Sequence, residues 1–260
     1  MLPIPTSVLI VLALAGAVTA PASSGSEPPE IMVYAAASLR DALQELAPGC
    51  EQATGTRLVF NFGASNDLAR QIQAAGKADV FFSADESWMD KVEETGLVDT
   101  ASRRSLLSNR LVVVARPDVT WPIDSAGALA RAPARHLSIA NPEAVPAGRY
   151  ARAWLEQCGV WDQVHDRVLP AVDVRAALAA VESGAAELGI VYATDALLSR
   201  KTRVRYVVSE QEGPRIRYPI AALRDRPHAE ASRAVATWMA GPEAGKVFER
   251  FGFIRLEGGR

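Results

Sequence analysis

Apolar and polar positions follow two rhythms along this chain, and the rhythms take turns. Residues 31–36, IMVYAA, make an apolar run of strand length. Residues 38–47 then place Leu39, Ala42, Leu43 and Leu46 at the i, i+3, i+4, i+7 spacing of an amphipathic helix. Pro48 is expected to end or kink that helix, since it brings no N–H and its ring crowds the preceding turn. The pairing recurs: Leu58, Phe60 and Phe62 alternate as a strand, and GASNDLARQIQAAG follows as a helix closed by Gly76. ADVFFSADESWMDKV gives a short buried strand and a helix holding Trp88 and Met89, and residues 110–117, RLVVVARP, form a strong strand. Beyond it HLSIANP, RYARAWLEQCG, AALAAVESG, ELGIVYATDALL and VRYVVSE repeat the alternation. Residues 217–224, RYPIAALR, return to a helical tail over 231–253.

Buried strands that alternate with helices predict an α/β protein with parallel-rich sheets flanked by helices. Two nearly continuous apolar strands, 111–115 and 218–223, bracket the middle set and are read as crossings between two lobes. On this reading lobe one comprises residues 31–112 and 218–260, and lobe two residues 113–217. There is no internal repeat.

Composition changes this picture mainly at the N-terminus. Of 260 residues, 49% are hydrophobic and 22% charged, enough apolar material for a sizeable core. Residues 8–20 form an apolar run too short to span a bilayer comfortably, followed by small residues at Ala20–Ala22. Residues 1–22 therefore read as a signal peptide cut after Ala22, and 23–30 as a polar linker. The n-region lacks Lys and Arg, so a retained anchor is the alternative. Export implies a periplasmic protein and an oxidising compartment. Cys50 and Cys158 fall in separate lobes, on apolar helix faces, so two free thiols are expected. The net charge of −2, with no basic run, argues against nucleic acid. His136, His165 and His228 stand far apart and no CxxC occurs, which argues against a protein-ligated zinc ion.

The candidate chemistry lies where strands hand over to helices. In open α/β sheets ligands bind beyond the carboxyl ends of the strands, where helix starts present unpaired N–H groups. Ser38 follows the first strand after three alanines, and Ser65 follows the second after Gly63 and Ala64. Pro146, Ala147 and Gly148 open one helix, Asp173 and Val174 another, and Tyr192 ends a strand. Small residues let backbone approach a ligand, and helix N-termini favour an anion. Together the junctions describe a nest for a compact oxyanion without formal positive charge. Each residue also has a plainer role. Ser38 with Asp41 spells a capping box, and Ser65, Asp173 and Ser83 with Asp85 read as helix caps. Tyr192 reads as a half-buried aromatic, and Arg149 and Arg175 as solvated helix residues.

The segments VYAAASL, FGASNDLARQI, ADVFFSADESWMD, NRLVVVA, NPEAVPAGRYA, DVRAALAAVESGAAELGIVYATDA, YPIAAL and FERFGF, in order, resemble the periplasmic molybdate-binding proteins of ABC importers. The resemblance implies a two-lobed, type II periplasmic-binding-protein fold. Each lobe would be a mixed, mostly parallel sheet flanked by helices, with the ligand in the cleft between them. It implies an oxyanion, molybdate or tungstate, held by neutral donors at Ser38, Ser65, Ala147, Val174 and Tyr192. These residues would touch oxygen atoms and not the metal, with no other cofactor. It further implies a monomer that delivers its ligand to a membrane permease and is not an enzyme. FGASN lacks the serine run common in the family, a departure that bears on affinity.

Two competing readings remain. One is a sulfate- or other oxyanion-binding protein on the same scaffold. The other is a secreted serine hydrolase using Ser38 or Ser65, for which no histidine falls at a strand–helix junction.

Overall fold

The computed structural model describes residues 27–256; the expected signal peptide and the first half of the expected linker lie outside them. The first elements are β1 (Glu30–Ala36), a 3-10 turn (Ala37–Leu39), α1 (Arg40–Thr54), β2 (Arg57–Gly63), α2 (Ser65–Ala75), β3 (Val80–Phe82) and α3 (Glu86–Glu93). Then come β4 (Arg104–Ser108), β5 (Leu111–Ala115), α4 (Ala126–Arg131), β6 (Leu137–Ala140), α5 (Pro146–Gln157), α6 (Trp161–Val164) and β7 (Val168–Ala171). The chain continues with α7 (Val174–Ser183), β8 (Leu188–Tyr192), α8 (Ala193–Leu198) and β9 (Arg203–Val207). It closes with β10 (Tyr218–Ala222), α9 (Ala229–Met239), α10 (Pro242–Arg250) and β11 (Ile254–Arg255).

The strands form two sheets, ordered β11-β4-β10-β3-β1-β2 and β7-β6-β8-β5-β9. Each sheet has a parallel half and an antiparallel half. β1 pairs in parallel with β2 and β3, and β6 with β7 and β8. β10 joins β3 antiparallel, and β5 joins β8 antiparallel, because each enters its sheet from the other lobe. The sheets are thus more mixed than the alternation of elements predicts. The first crossing lies at Asn109 and Arg110, between β4 and β5. Leu111 and Val112 already pair with Tyr192 and Val191, so the second sheet begins before residue 113. The second crossing, residues 208–217, precedes β10.

Alternation along β1 explains the layering of lobe one. Ile31, Val33 and Ala35 face a core shared with Leu43, Phe82 and Phe248. Tyr34 faces the opposite side with Leu68, Ile72, Phe81 and Met89. α1 continues through Pro48, so the helix does not end there. Pro48, Gly49 and Gln44, whose carbonyl loses its usual partner, are exposed, so water can replace that bond. The opposite face, Leu43, Leu46 and Cys50, is buried and holds the helix in place. Gly49 lies 3.4 Å (ideal Cβ to ring) from Trp238 of α9, leaving little room there for a larger side chain. Cys50 and Cys158 are free thiols; Cys158 is half-buried, with its sulfur 3.7 Å from a Glu212 oxygen.

Contacts between the lobes use charge. Trp88 Nε1 of α3 donates to the Ala144 carbonyl at 3.0 Å. Arg149 of α5 reaches Ser87 Oγ at 2.7 Å and Asp85 at 3.3 Å. Arg175 of α7 meets Asp41 of α1 at 2.5 Å and, within its own lobe, Asp195 at 2.5 Å. These two arginines are therefore engaged between the lobes, and the reading of them as solvated is corrected. Asp195 is fully buried, and among the described residues neither of its oxygens has an aligned hydrogen-bond donor. Burial pushes its carboxyl up to about 7, against the pull of Arg175.

Two outcomes follow from this packing. A Cβ at Gly148 would lie 2.0 Å from the Ala140 carbonyl oxygen, because α5 starts pressed against β6. Gly148→Ala should destabilise the fold by about 1–3 kcal/mol, read as a lower urea midpoint at unchanged slope; an unchanged midpoint would mean that α5 shifts freely. Asp195 holds its proton in the folded state from its ordinary range near 3.8 up to about 7. Its stabilising contribution is full below pH 4 and is lost as the pH rises through 7. Asp195→Asn removes that loss, so the variant should gain on the parent between pH 4 and 8, by on the order of 2–4 kcal/mol. Thermal unfolding across that range reads it, and a pH-independent difference would show that Asp195 does not titrate there.

Candidate functional site

Four chain turns meet between the sheets. The 3-10 turn after β1 carries Ser38, and α2, α5 and α7 all start at the same place. Their first N–H groups have no acceptor within their own helices. Pro146 at the start of α5 has no N–H, so Ala147 and Gly148 offer the first ones there. At α7, Asp173 accepts from the Ala176 N–H at 2.8 Å, and the N–H groups of Val174 and Arg175 precede that bond.

Ser38, Ser65, Ala147, Val174 and Tyr192 all line one cavity at this meeting point. Ala36, Ala37, Gly63, Ala64 and Ala84 complete much of the wall, so small side chains bring backbone to the surface. The cavity volume is about 20 Å³, against about 10–15 Å³ needed for a single water. A space this small suits a compact ligand. No lysine or arginine lines it. Asp173, which reads from sequence as a cap alone, both lines the cavity and caps α7 through Oδ1.

The two serines are not caps. α2 has Ala64 as its N-cap, and neither Ala64 nor the residues preceding α1 make a side-chain cap bond. Ser65 Oγ instead accepts the Ala84 N–H at 3.0 Å, which leaves its own proton free. Ser38 Oγ lies 3.1 Å from Tyr218 Oη. Asp85, in contrast, caps α3 by accepting from the Trp88 N–H at 3.1 Å. Tyr192 is fully buried rather than half-buried, and its hydroxyl has no partner among the described residues. Burial holds its ionisation far above the ordinary range, so the group is a neutral donor. His136, His165 and His228 are all exposed and none lines the cavity, so no imidazole reaches either serine.

Three hydroxyls and the free N–H groups of the helix starts converge on this cavity, an arrangement that can hold a small anion. Tyr218 and Asn109, which stand behind Ser38, carry no local sequence signal, because they are 180 and 109 residues away from their partners in the network.

Comparison with known proteins agrees with this geometry. Residues 31–254 match the sequence model of the bacterial extracellular solute-binding proteins. Over 230 residues the chain is 40% identical to the molybdate-binding protein ModA of Escherichia coli (strain K12), covering 86% of this chain and 88% of that one. The periplasmic molybdate-binding protein of Azotobacter vinelandii aligns with TM-score 0.78 at 24% identity, over 87% of this chain and 100% of that one. The sulfate-binding protein SubI of Mycobacterium tuberculosis H37Rv aligns with TM-score 0.79 at 18% identity, over 88% of each chain. The last two establish a shared two-lobed fold. With two mixed sheets, a cleft between them and a match over nearly all the described residues, the chain belongs to the bacterial extracellular solute-binding protein family.

Proposed function

We propose that this protein captures molybdate, with tungstate as a close substitute, and delivers it to the membrane permease of an ABC importer. It acts as an exported, periplasmic monomer and not as an enzyme. One observation carries the reading: five residues from five separated segments line one small cavity, and no lysine or arginine is among its lining residues. The 40% identity to a protein named for molybdate binding supports the choice among oxyanions.

The proposed binding geometry follows from the donors. Ser38 and Ser65 face the anion from lobe one, and Ala147, Val174 and Tyr192 from lobe two. Oxygens that touch both sets favour the closed arrangement, reached by the hinge closure general to periplasmic binding proteins. Selectivity over sulfate comes from cavity size, because both are tetrahedral dianions and molybdate has the longer bonds. A sulfate-binding relative shares the fold, so a panel of oxyanions is the deciding experiment.

Molybdate and tungstate at about a hundred times Kd should add roughly 2.7 kcal/mol to stability, with sulfate much weaker. Equal thermal shifts with sulfate and molybdate would overturn the size argument. A hydrogen bond to a charged group is worth about 1.5–3 kcal/mol. Ser38→Ala, Ser65→Ala and Tyr192→Phe should therefore each weaken molybdate binding by roughly ten- to a hundredfold in calorimetric titration. Arg149→Ala removes a contact between lobes and no anion contact, so it should cost less than about 1 kcal/mol of affinity. A larger loss in Arg149→Ala than in the serine variants would mean that formal charge holds the anion.

A further inference from the structure

We propose that Asn109 and Tyr218 form a hydrogen-bond relay that fixes Ser38 as a hydroxyl donor into the cavity, making both of them positioning residues for ligand binding. The proposal rests on the oxyanion reading of the cavity and adds to it a source of selectivity. Its basis is a count of protons through one buried network.

Asn109 sits at the first crossing between lobes, and Tyr218 opens β10 directly after the second. Both are buried. The Arg110 backbone N–H donates to Asn109 Oδ1 at 2.9 Å, and only the carbonyl end of an amide accepts such a bond. That contact sets which way the Asn109 amide faces. Its Nδ2 then donates to Thr194 Oγ1 at 2.9 Å and to Tyr218 Oη at 3.2 Å, using both hydrogens. Tyr218 Oη is therefore an acceptor toward Asn109 and has a single proton left to place.

Ser38 Oγ, at 3.1 Å, is the other polar partner of that hydroxyl among the described residues. Were Ser38 to donate to Tyr218, the Tyr218 proton would be left buried without an acceptor, an arrangement that folded proteins avoid. The relay therefore runs from Asn109 to Tyr218 to Ser38, and the Ser38 proton turns toward the cavity that Ser38 lines. The Tyr218 ring is held in this position by Phe253, edge-on at 5.4 Å, and Tyr192 at 5.8 Å. Burial keeps its hydroxyl protonated, so the relay does not reverse by ionisation.

Ser65 reaches the same state by a different route, since it accepts from the Ala84 N–H. Both serines then offer protons to the ligand. An oxyanion that carries its own hydroxyl, such as hydrogen phosphate, has to turn that hydroxyl away from both serines, and Asp173 is the one carboxylate in the cavity wall that could accept it. A fully deprotonated oxyanion has no such constraint. The relay thus favours a ligand that presents bare oxygens to both serines, independently of cavity size.

The test is a double-mutant cycle read by calorimetric titration with molybdate. Tyr218→Phe should weaken binding five- to tenfold in the parent and in Ser65→Ala, but less than twofold in Ser38→Ala. Asn109→Leu should show the same dependence on Ser38, which keeps the test open if Tyr218→Phe fails to fold. An equal loss with and without the Ser38 hydroxyl overturns the relay, since a merely structural role would act in both backgrounds. A ligand-free arm separates this result from the function proposed above. The buried Tyr218 hydroxyl proton, followed by NMR, should shift in both Ser38→Ala and Asn109→Leu. If the parent binds no molybdate, that function falls and the NMR arm alone judges the relay, which an unmoved resonance overturns.

Discussion

A helix must begin somewhere, and its first N–H groups then have no partner in the helix. That constraint organises this protein. Several chain turns, after β1 and at the starts of α2, α5 and α7, bring such groups to one small cavity. Away from the cavity side-chain caps satisfy such groups, Asp85 at α3 and Ser125 at α4, and at α7 Asp173 takes the Ala176 N–H alone. At Ser38 and Ser65 the protein does the reverse and commits the serine oxygens to Tyr218 and to the Ala84 N–H. Helix N-termini carry roughly half a positive charge, so the result favours an anion without placing a cation beside it.

Formal charge is used elsewhere. Arg149 and Arg175 start on helices that point at the cavity, yet both turn to carboxylates. Their work is between the lobes, at Asp85 and Asp41. The formal charges thus join the lobes at the rim, and the cavity wall is left to hydroxyls, backbone and the Asp173 carboxylate.

The two crossings join these functions. Residues 109 and 110 and residues 208–217 are the only links between the sheets along the described chain, and each is followed at once by a central antiparallel strand. Asn109, Tyr218, Thr194 and Ser38 meet at this point. The crossings and one wall of the cavity therefore share a hydrogen-bond network.

Much of this was legible in local sequence, and the reason is the short range of the signals. Helical spacing at Leu39, Ala42, Leu43 and Leu46 marked α1, and small residues before Ser38 and Ser65 marked close backbone approach. Local rules failed where partners are distant. Pro48 reads as a stop until the buried face opposite it is seen to hold the helix. β4 and β11 show little pattern of their own and exist as strands because β10 offers β4 an edge, and β4 offers one to β11. By itself, then, the sequence determined the element order, the small-residue junctions and the absence of a cation from the set of junction residues. Those depend on neighbours within a few positions. Only the tertiary structure decided that five junctions share one cavity, that Ser38 and Ser65 are not caps, and that Arg175 bridges Asp41 and Asp195. Each of these joins residues far apart in the chain, and a hydrogen bond or ion pair has no signature in sequence until folding brings its two ends within about 3 Å.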